Sequence, residues 1–352
     1  MEAIEDIQIA KTGEAPLFSR LKYISPEKNQ SNLVTPANKN VRDIVYKQTI
    51  QKEVWHPLKD LIQPDGSVDI LISQSDRYGL PQRTVVCKAT GLMRTDPFYT
   101  TDYLNTFYVH YYRDLYSNNE VSRDVVLREQ IDRGSGYFRL LKNDLKEKDK
   151  VLEIGCGMGG ILIPFKLAGM QVTGIDLGPE FISLGNKFDL NLYVKSVDDL
   201  LKESTEYDLI ILSHVIEHIP DLNNFLGKVK TLLTPAGKIF IAVPGIKYIH
   251  ETYNGNLHLY LQNAHCWSFT KTTLTAILNM NDLNVNYIDE QINCIASKAS
   301  KRIGRVDVTH EGDNVISYLE NTEKQFQKKT SFLRRAYRSV MLRTETLLFG
   351  RF

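Results

Sequence analysis

Short, densely apolar runs alternate with longer, intermittently apolar segments through the middle of this chain. VLEIG (151–155), VTGID (172–176), LYVKSV (192–197), YDLIILS (207–213) and KIFIAVPG (238–245) each read as a buried strand, with helix-period segments between them. Strands apolar on both faces and separated by helices predict a parallel sheet covered on both sides. Ahead of this block, VDILIS (68–73) and RTVVCKA (83–89) flank SDRYGLPQ and predict a hairpin around a Gly-Pro-containing turn. Two helical stretches follow: the aromatic-rich DYLNTFYVHYYRDLYSN (102–118), then VVLREQIDRGSGYFRLLKNDL (125–145), interrupted at Gly134 to Gly136. Residues 1–65 are polar, weakly periodic and punctuated by Pro16, Pro26, Pro36, Pro57 and Pro64. They predict an arm with little structure beyond a short helix near Val41 to Gln51. Four regions result: the arm (1–65), a hairpin and aromatic helical region (66–145), a ligand-binding domain (146–296) and a tail (297–352).

Composition narrows the classes. With 352 residues, 42% of them hydrophobic, the chain can bury a sizeable core. A net charge of +1 argues against a nucleic-acid binder. Cys87, Cys156, Cys266 and Cys294 are scattered without C-x-x-C spacing, so neither a disulfide framework nor a zinc knuckle is indicated, and a cytoplasmic setting is expected. No basic-then-apolar leader opens the sequence, and no run reaches the ~20 apolar residues of a membrane span. In the tail, Leu333, Ala336, Tyr337, Val340, Met341, Thr344, Leu347 and Leu348 fall on one helical stripe, with Arg334, Arg335, Arg338 and Arg343 mostly off it. Such a helix suits docking on the protein itself, a homo-oligomer, or peripheral contact with an anionic inner-membrane surface.

Gly155, Gly157 and Gly160 spell G-x-G-x-x-G after the first strand of the block, with Gly159 as an extra glycine. Glycines at a strand-to-helix turn allow positive φ and close backbone approach to a ligand. Asp176 ends the next strand, 21 positions after Gly155, where an acid can accept hydrogen bonds from a ribose diol. Glu153 lies inside the strand before the turn. It would repel a pyrophosphate at the helix N-terminus, which disfavours a dinucleotide oxidoreductase, and it suits an ammonium group. That combination points to S-adenosylmethionine.

VLEIGCGMGG resembles the first motif of the class I S-adenosylmethionine-dependent methyltransferases, GIDLGPEFI their second, and SVDDL (196–200) their adenine-contacting segment. The long block YDLIILSHVIEHIPDLNNFLGKVKTLLTPAGKIFIAVPG is similar as well, and the likeness runs over about residues 148–280. It implies a Rossmann-like α/β fold: a mostly parallel seven-stranded sheet with helices on both faces, an N-terminal β-hairpin and helical extension, and a C-terminal helical tail. It also implies that Glu153, Gly155, Cys156, Gly157, Gly159, Asp176, Leu177, Ser196, Val197, Asp198 and Ser213 surround the donor. SDRYGLPQRTVVCKATGLMRTDPFYTTDYLNTFYVHYYRDLY resembles the start of bacterial sugar methyltransferases, where a zinc ribbon precedes a Tyr-rich helix. Here Cys87 stands alone and Thr90 replaces the second cysteine, so the hairpin is expected without its metal. Tyr108, Tyr111, Tyr112 and Arg113 would lie over the donor as a lid or pack the hairpin onto the core.

SHVIEH (213–218) carries H-x-x-E-H, the spacing of an inverted zinc protease. That chemistry needs both histidines on one helix, whereas this stretch directly follows a strand. Three readings stay open. Glu217 and His218 shape the cofactor loop; His214 is a general base for a hydroxyl nucleophile; or His214, Glu217 and His218 hold a divalent metal with a further histidine. His214 standing in place of an acid favours softer metals than magnesium. LQNAHCWSFTKTTL (261–274) adds Gln262, His265 and Trp267 as candidate acceptor contacts, and Thr270 or Ser268 as a helix cap. The implied activity is O-methylation of a carbohydrate, as a nucleotide sugar or surface glycan, with His214, Glu217, His218 and His265 as the catalytic set. Carbon or nitrogen methylation of a keto- or amino-sugar, and an inactive donor-binding partner in a glycan-assembly complex, are the alternatives.

Overall fold

The computed structural model describes residues 15–21, 33–66, 68–116, 122–301 and 303–349. Its strands, in chain order, are β1 (Trp55–His56), β2 (Asp69–Ser75), β3 (Pro81–Cys87), β4 (Met93–Thr95), β5 (Phe98–Tyr99), β6 (Lys150–Ile154), β7 (Gln171–Asp176), β8 (Asn191–Val194), β9 (Tyr207–Ser213), β10 (Leu233–Ala242), β11 (Trp267–Ser268), β12 (Leu283–Ile288) and β13 (Asn293–Lys298). Seven of them form the main sheet in the order β12-β13-β10-β9-β6-β7-β8. β8, β7, β6, β9 and β10 are parallel, and β13 and β12 close one edge antiparallel. This is the Rossmann-like sheet expected from the central block. The five parallel strands are the five apolar runs of the sequence. The two edge strands alternate more weakly and were not individually legible.

Apolar side chains cover both faces of the sheet. Leu152, Ile210, Leu212, Ile239 and Ile241 face one core, and Val151, Leu209, Ile211 and Phe240 face the other. Each fully buried aliphatic or aromatic side chain contributes about 1.5–3 kcal/mol, so the sheet is rigid where it presents its C-terminal strand ends.

The N-terminal region packs more tightly than an arm would. The helix Pro36–Thr49 starts five residues earlier than expected, with Asn38 Oδ1 accepting from Thr35 N–H at 2.9 Å and Pro36 in its first turn. Val45 is buried, and Asn38 Nδ2 donates to the Leu115 carbonyl at 3.3 Å. β2 and β3 form the expected antiparallel hairpin, joined by β4 and then β11 into a second sheet of order β11-β4-β3-β2. The hairpin is thereby tied to the loop that carries His265. Thr90 donates to Asp60 Oδ2 at 2.7 Å at the hairpin base, where Cys87 is buried and free.

Two expectations are corrected. The aromatic stretch forms two helices, Thr101–His110 and Tyr112–Tyr116, broken at Tyr111. Conversely, Arg123–Leu141 is one unbroken helix through Gly134 and Gly136. A Cβ on Gly134 would stand 2.4 Å from the Ile161 carbonyl, so that glycine permits close approach to the segment after the glycine turn and does not end the helix. The tail forms the helix Glu311–Phe349. Its first turns dock on the body: Val315 and Leu319 are buried with Ile246 and Ile249, and Lys247 pairs with Glu311 at 2.9 Å. The side chains of residues 333–349, and so the apolar stripe, lie outside the described residues.

Candidate active site

The site lies at the C-terminal ends of β6, β7 and β9, where open parallel sheets hold ligands. After β6 the backbone turns left-handed at Gly155 (φ 72°) and Gly157 (φ 54°). A Cβ at Gly155 would come 2.9 Å from Val215 Cγ2, so the loop after β9 rests directly on the turn. Gly159 and Cys156 face the other way. Gly159 lies against Leu190 and Leu192, and the Cys156 thiol is buried beneath the turn.

Asp176, at the end of β7, accepts from Gly157 N–H at 2.9 Å and Gly178 N–H at 2.7 Å. Its carboxylate fastens the two strand ends together, and each oxygen keeps a lone pair for a further donor. Leu177 beside it is 69% exposed, an apolar side chain with nothing covering it. Ser196 spends its hydroxyl on a capping box with Asp199, and Asp198 commits its carboxylate to Lys228 at 2.6 Å. The side chains of Ser196 and Asp198 thus serve the helix Val197–Leu201 and its neighbour, leaving backbone and Val197 as the contacts this segment offers.

Glu153 is only 1% exposed, and its Oε2 has no hydrogen-bond partner among the described residues. Burial pushes its carboxyl well above the ordinary range, Asp176 adds to the shift, and Arg133 opposes it. A buried carboxylate left unpartnered is costly unless a cationic group completes it. Two carboxylates near a bare glycine turn fit an ammonium and a ribose diol, and they oppose a pyrophosphate. The residues present therefore fit S-adenosylmethionine.

The loop after β9 builds the other half. Ser213 Oγ lies 3.1 Å from Tyr137 Oη. His214 takes φ 55°, a conformation that costs a side-chain-bearing residue about 1–2 kcal/mol, and its N–H is held by the Ala242 carbonyl at 2.8 Å. Its imidazole is 42% exposed, with Nδ1 3.3 Å from Glu217 Oε1. Glu217 is buried, and neither carboxylate oxygen has a hydrogen-bond partner among the described residues. Only a three-residue 3-10 turn, Ile216–His218, occurs here, which removes the protease helix.

His218 Nδ1 lies 3.0 Å from the Ala264 carbonyl and 2.9 Å from Tyr108 Oη. A carbonyl only accepts, so Nδ1 carries the proton and Nε2 keeps its lone pair. The buried His265 ring meets His218 edge-on, with centroids 4.7 Å apart. Burial lowers the pKa of His218 and drives that of His265 far down, so both imidazoles are neutral bases at neutral pH. Glu217 O accepts from Cys266 N–H at 2.8 Å, and Ile219 O from Trp267 Nε1 at 2.8 Å, stitching the two histidine loops together. Trp267 is consequently core and does not line a pocket. Thr270, and not Ser268, caps the following helix.

The aromatic helices cover this assembly. Tyr108 and Tyr112 pack edge-on against His218 at 6.0 and 5.9 Å, and Tyr116 hydrogen-bonds Asn263. Arg113 turns to the donor half, 3.7 Å from Asp176 Oδ1, with its guanidinium 3.6 Å above the Phe181 ring. Sequence reasoning missed Tyr137, Gln130 (which accepts from Gly160 N–H at 3.2 Å) and Asn263. Tyr137 and Gln130 stand in no motif, and Tyr137 meets Ser213 across 76 positions, so no local pattern announces them; Asn263 lies inside LQNAHCWSFTKTTL, between the residues singled out there.

Residues 126–288 match the family described as a methyltransferase domain. The chain is 32% identical over 130 residues to a ubiquinone biosynthesis O-methyltransferase of Xanthomonas oryzae pv. oryzae, covering 32% of this chain and 54% of that one. It is 29% identical over 154 residues to the Xanthomonas campestris pv. campestris protein of the same description, covering 38% and 64%. The chain thus spans about half the length of the curated relatives it matches. Among solved structures, the magnesium protoporphyrin IX methyltransferase of Synechocystis PCC 6803 aligns at TM-score 0.42 and 16% identity, covering 56% of this chain and 97% of that one. A Methanosarcina mazei S-adenosylmethionine-dependent methyltransferase aligns at 0.38 and 20%, covering 46% and 98%. The chain carries a class I methyltransferase domain, whose cofactor is S-adenosylmethionine.

Proposed function

We propose that this protein transfers a methyl group from S-adenosylmethionine to a hydroxyl oxygen of a small polyhydroxylated acceptor, a carbohydrate. One observation carries the donor half: the buried Glu153 carboxyl, its Oε2 without a hydrogen-bond partner among the described residues, beside the open Gly155 turn, with Asp176 on the adjacent strand. When bound, the donor supplies a methyl already activated on a positively charged sulfur. The chain's own task is then alignment and proton removal.

Glu153 and Asp176 fix the donor from below. The loop carrying His214 leans on Gly155 through Val215, next to His214 in the chain. Glu217 Oε1 lies 3.3 Å from His214 Nδ1, outside hydrogen-bond geometry, so the imidazole is free to turn a nitrogen to the acceptor. An alcohol is a poor nucleophile until its proton is leaving, and a part-exposed imidazole can take that proton to solvent. Tyr108, Tyr112 and the two inner histidines supply aromatic faces with polar edges, a surface that suits a sugar ring. O-methylation is also the activity in the description of the Xanthomonas relatives.

Calorimetric titration with S-adenosylhomocysteine tests the donor half. Incubation with labelled donor and a panel of nucleotide sugars and oligosaccharides, followed by mass spectrometry for a methyl ether, tests the acceptor. Absence of donor binding refutes the proposal outright. Binding with methylation only of nitrogen or carbon nucleophiles refutes the oxygen assignment.

A further inference from the structure

Resting on the S-adenosylmethionine reading of the site, we propose that Arg113 is a donor-binding residue. Its guanidinium and the Asp176 carboxylate together hold a hydroxyl of the donor's ribose. Arg113 Nη2 lies 3.7 Å from Asp176 Oδ1, beyond the range of a direct hydrogen bond. A hydroxyl both donates and accepts, so a ribose hydroxyl can give its proton to the carboxylate and take an N–H from the guanidinium. A carboxylate alone uses only the first of those capacities.

Three features hold the guanidinium at that place. The first is Gly178: a Cβ there would stand 2.0 Å from Arg113 Nη2 and 3.1 Å from Asp176 Oδ1. Gly178 has φ −91°, which any residue adopts, so the bare backbone serves the close approach of Arg113 and no special turn. The second is the Phe181 ring, whose centroid lies 3.6 Å below the guanidinium carbon and fixes the plane of the group. The third is access. The side chains of Arg113 and Asp176 are 34% and 18% exposed, so a ligand arriving from solvent meets both.

Arg113 precedes the family domain, which spans residues 126–288. It belongs to the helix Tyr112–Tyr116, whose Tyr112 packs edge-on against His218 and whose Tyr116 hydrogen-bonds Asn263. A helix of the acceptor side thus contributes to the donor side, and a bound ribose would pin the wall that carries Tyr112.

Calorimetric titration of the full-length protein with three ligands tests this. S-adenosylhomocysteine carries both the ribose diol and the amino acid, 5′-methylthioadenosine carries the diol alone, and 2′,3′-dideoxy-S-adenosylhomocysteine carries the amino acid alone. Arg113→Met keeps the apolar stem and removes the N–H donors. It should weaken the first two ligands alike, by ~10-fold or more, and bind the dideoxy ligand as the wild type does. Gly178→Ala leaves Arg113 in the chain but pushes its guanidinium aside, and should weaken the same two ligands. It carries the test if Arg113→Met fails to fold. Wild-type affinity for S-adenosylhomocysteine in both variants overturns the proposal. Tighter binding by either overturns it too, because the guanidinium would then compete for the ribose place. An equal loss on the dideoxy ligand overturns it as well, since the hydroxyls would not be what Arg113 reads. Wild-type protein that binds none of the three refutes the donor site and the proposal with it; the other failures leave the donor reading standing.

Discussion

The two halves of the site solve opposite problems with similar means. Each contains a buried carboxylate without a full set of partners: Glu153 at the end of β6 and Glu217 after β9. On the donor side, glycines clear the space and Asp176 ties the strand ends, so the ligand meets backbone and two acids. On the acceptor side, no glycine opens the loop. Histidines and tyrosines from four separate segments converge there, so an acceptor bound as proposed would meet side chains. A donor shared by many enzymes can be held by a turn that recurs with a motif. An acceptor peculiar to one enzyme requires side chains gathered from distant segments. Arg113 joins the two, since its helix packs Tyr112 on His218 while its guanidinium lies on Phe181 beside Asp176.

The comparison breaks if acceptor-side changes damage donor binding. His214→Asn keeps a residue tolerant of the left-handed backbone at that position and deletes the imidazole. Turnover should fall about 10²-fold or more, with affinity for S-adenosylhomocysteine unchanged; calorimetry and a methyl-transfer assay on the same sample give both numbers. Glu153→Gln is the mirror experiment. It removes the charge opposite the donor ammonium and should weaken S-adenosylhomocysteine by about 100-fold, near 3 kcal/mol. The melting temperature should hold, because burial already favours the neutral carboxyl in the unliganded protein and Gln is its near-isostere.

Gly155→Ala tests the contact between the halves. Positive φ and the approach to Val215 Cγ2 together should cost about 2 kcal/mol of stability. Adding Val215→Ala should recover part of that loss in a denaturation cycle, and strict additivity of the two substitutions would refute the contact.

A pH-dependent effect concerns Asp76, which accepts from Tyr78, Leu80 and Asn263 N–H groups. Burial pushes its carboxyl up to about 7 despite those donors. A folded-state pKa above the unfolded value means that the fold binds the proton more tightly. This contribution to stability is therefore full below about pH 4 and is lost as pH rises toward 7, by at most about 1.4 kcal/mol per pH unit. Urea midpoints between pH 5 and 7.5 should fall in the wild type and fall less in Asp76→Asn. Equal slopes would show that the carboxyl stays ionised throughout.

What the sequence by itself determined is local and periodic. The five parallel strands, the hairpin, the glycine turn and the acids Glu153 and Asp176 each announce themselves within a few positions, because strand burial and a ligand turn constrain neighbouring residues. His214, Glu217, His218 and His265 were legible as one candidate set, but which of them touch one another was not. Only the tertiary structure decided that Glu217 would stand with His218 and His265, that Trp267 would be core, and that Gly134 would admit a neighbouring backbone without ending a helix. Those outcomes depend on which loops the sheet brings together, and a pairing across some 50 positions, such as Glu217 with Cys266, is fixed by packing that no short stretch of sequence encodes.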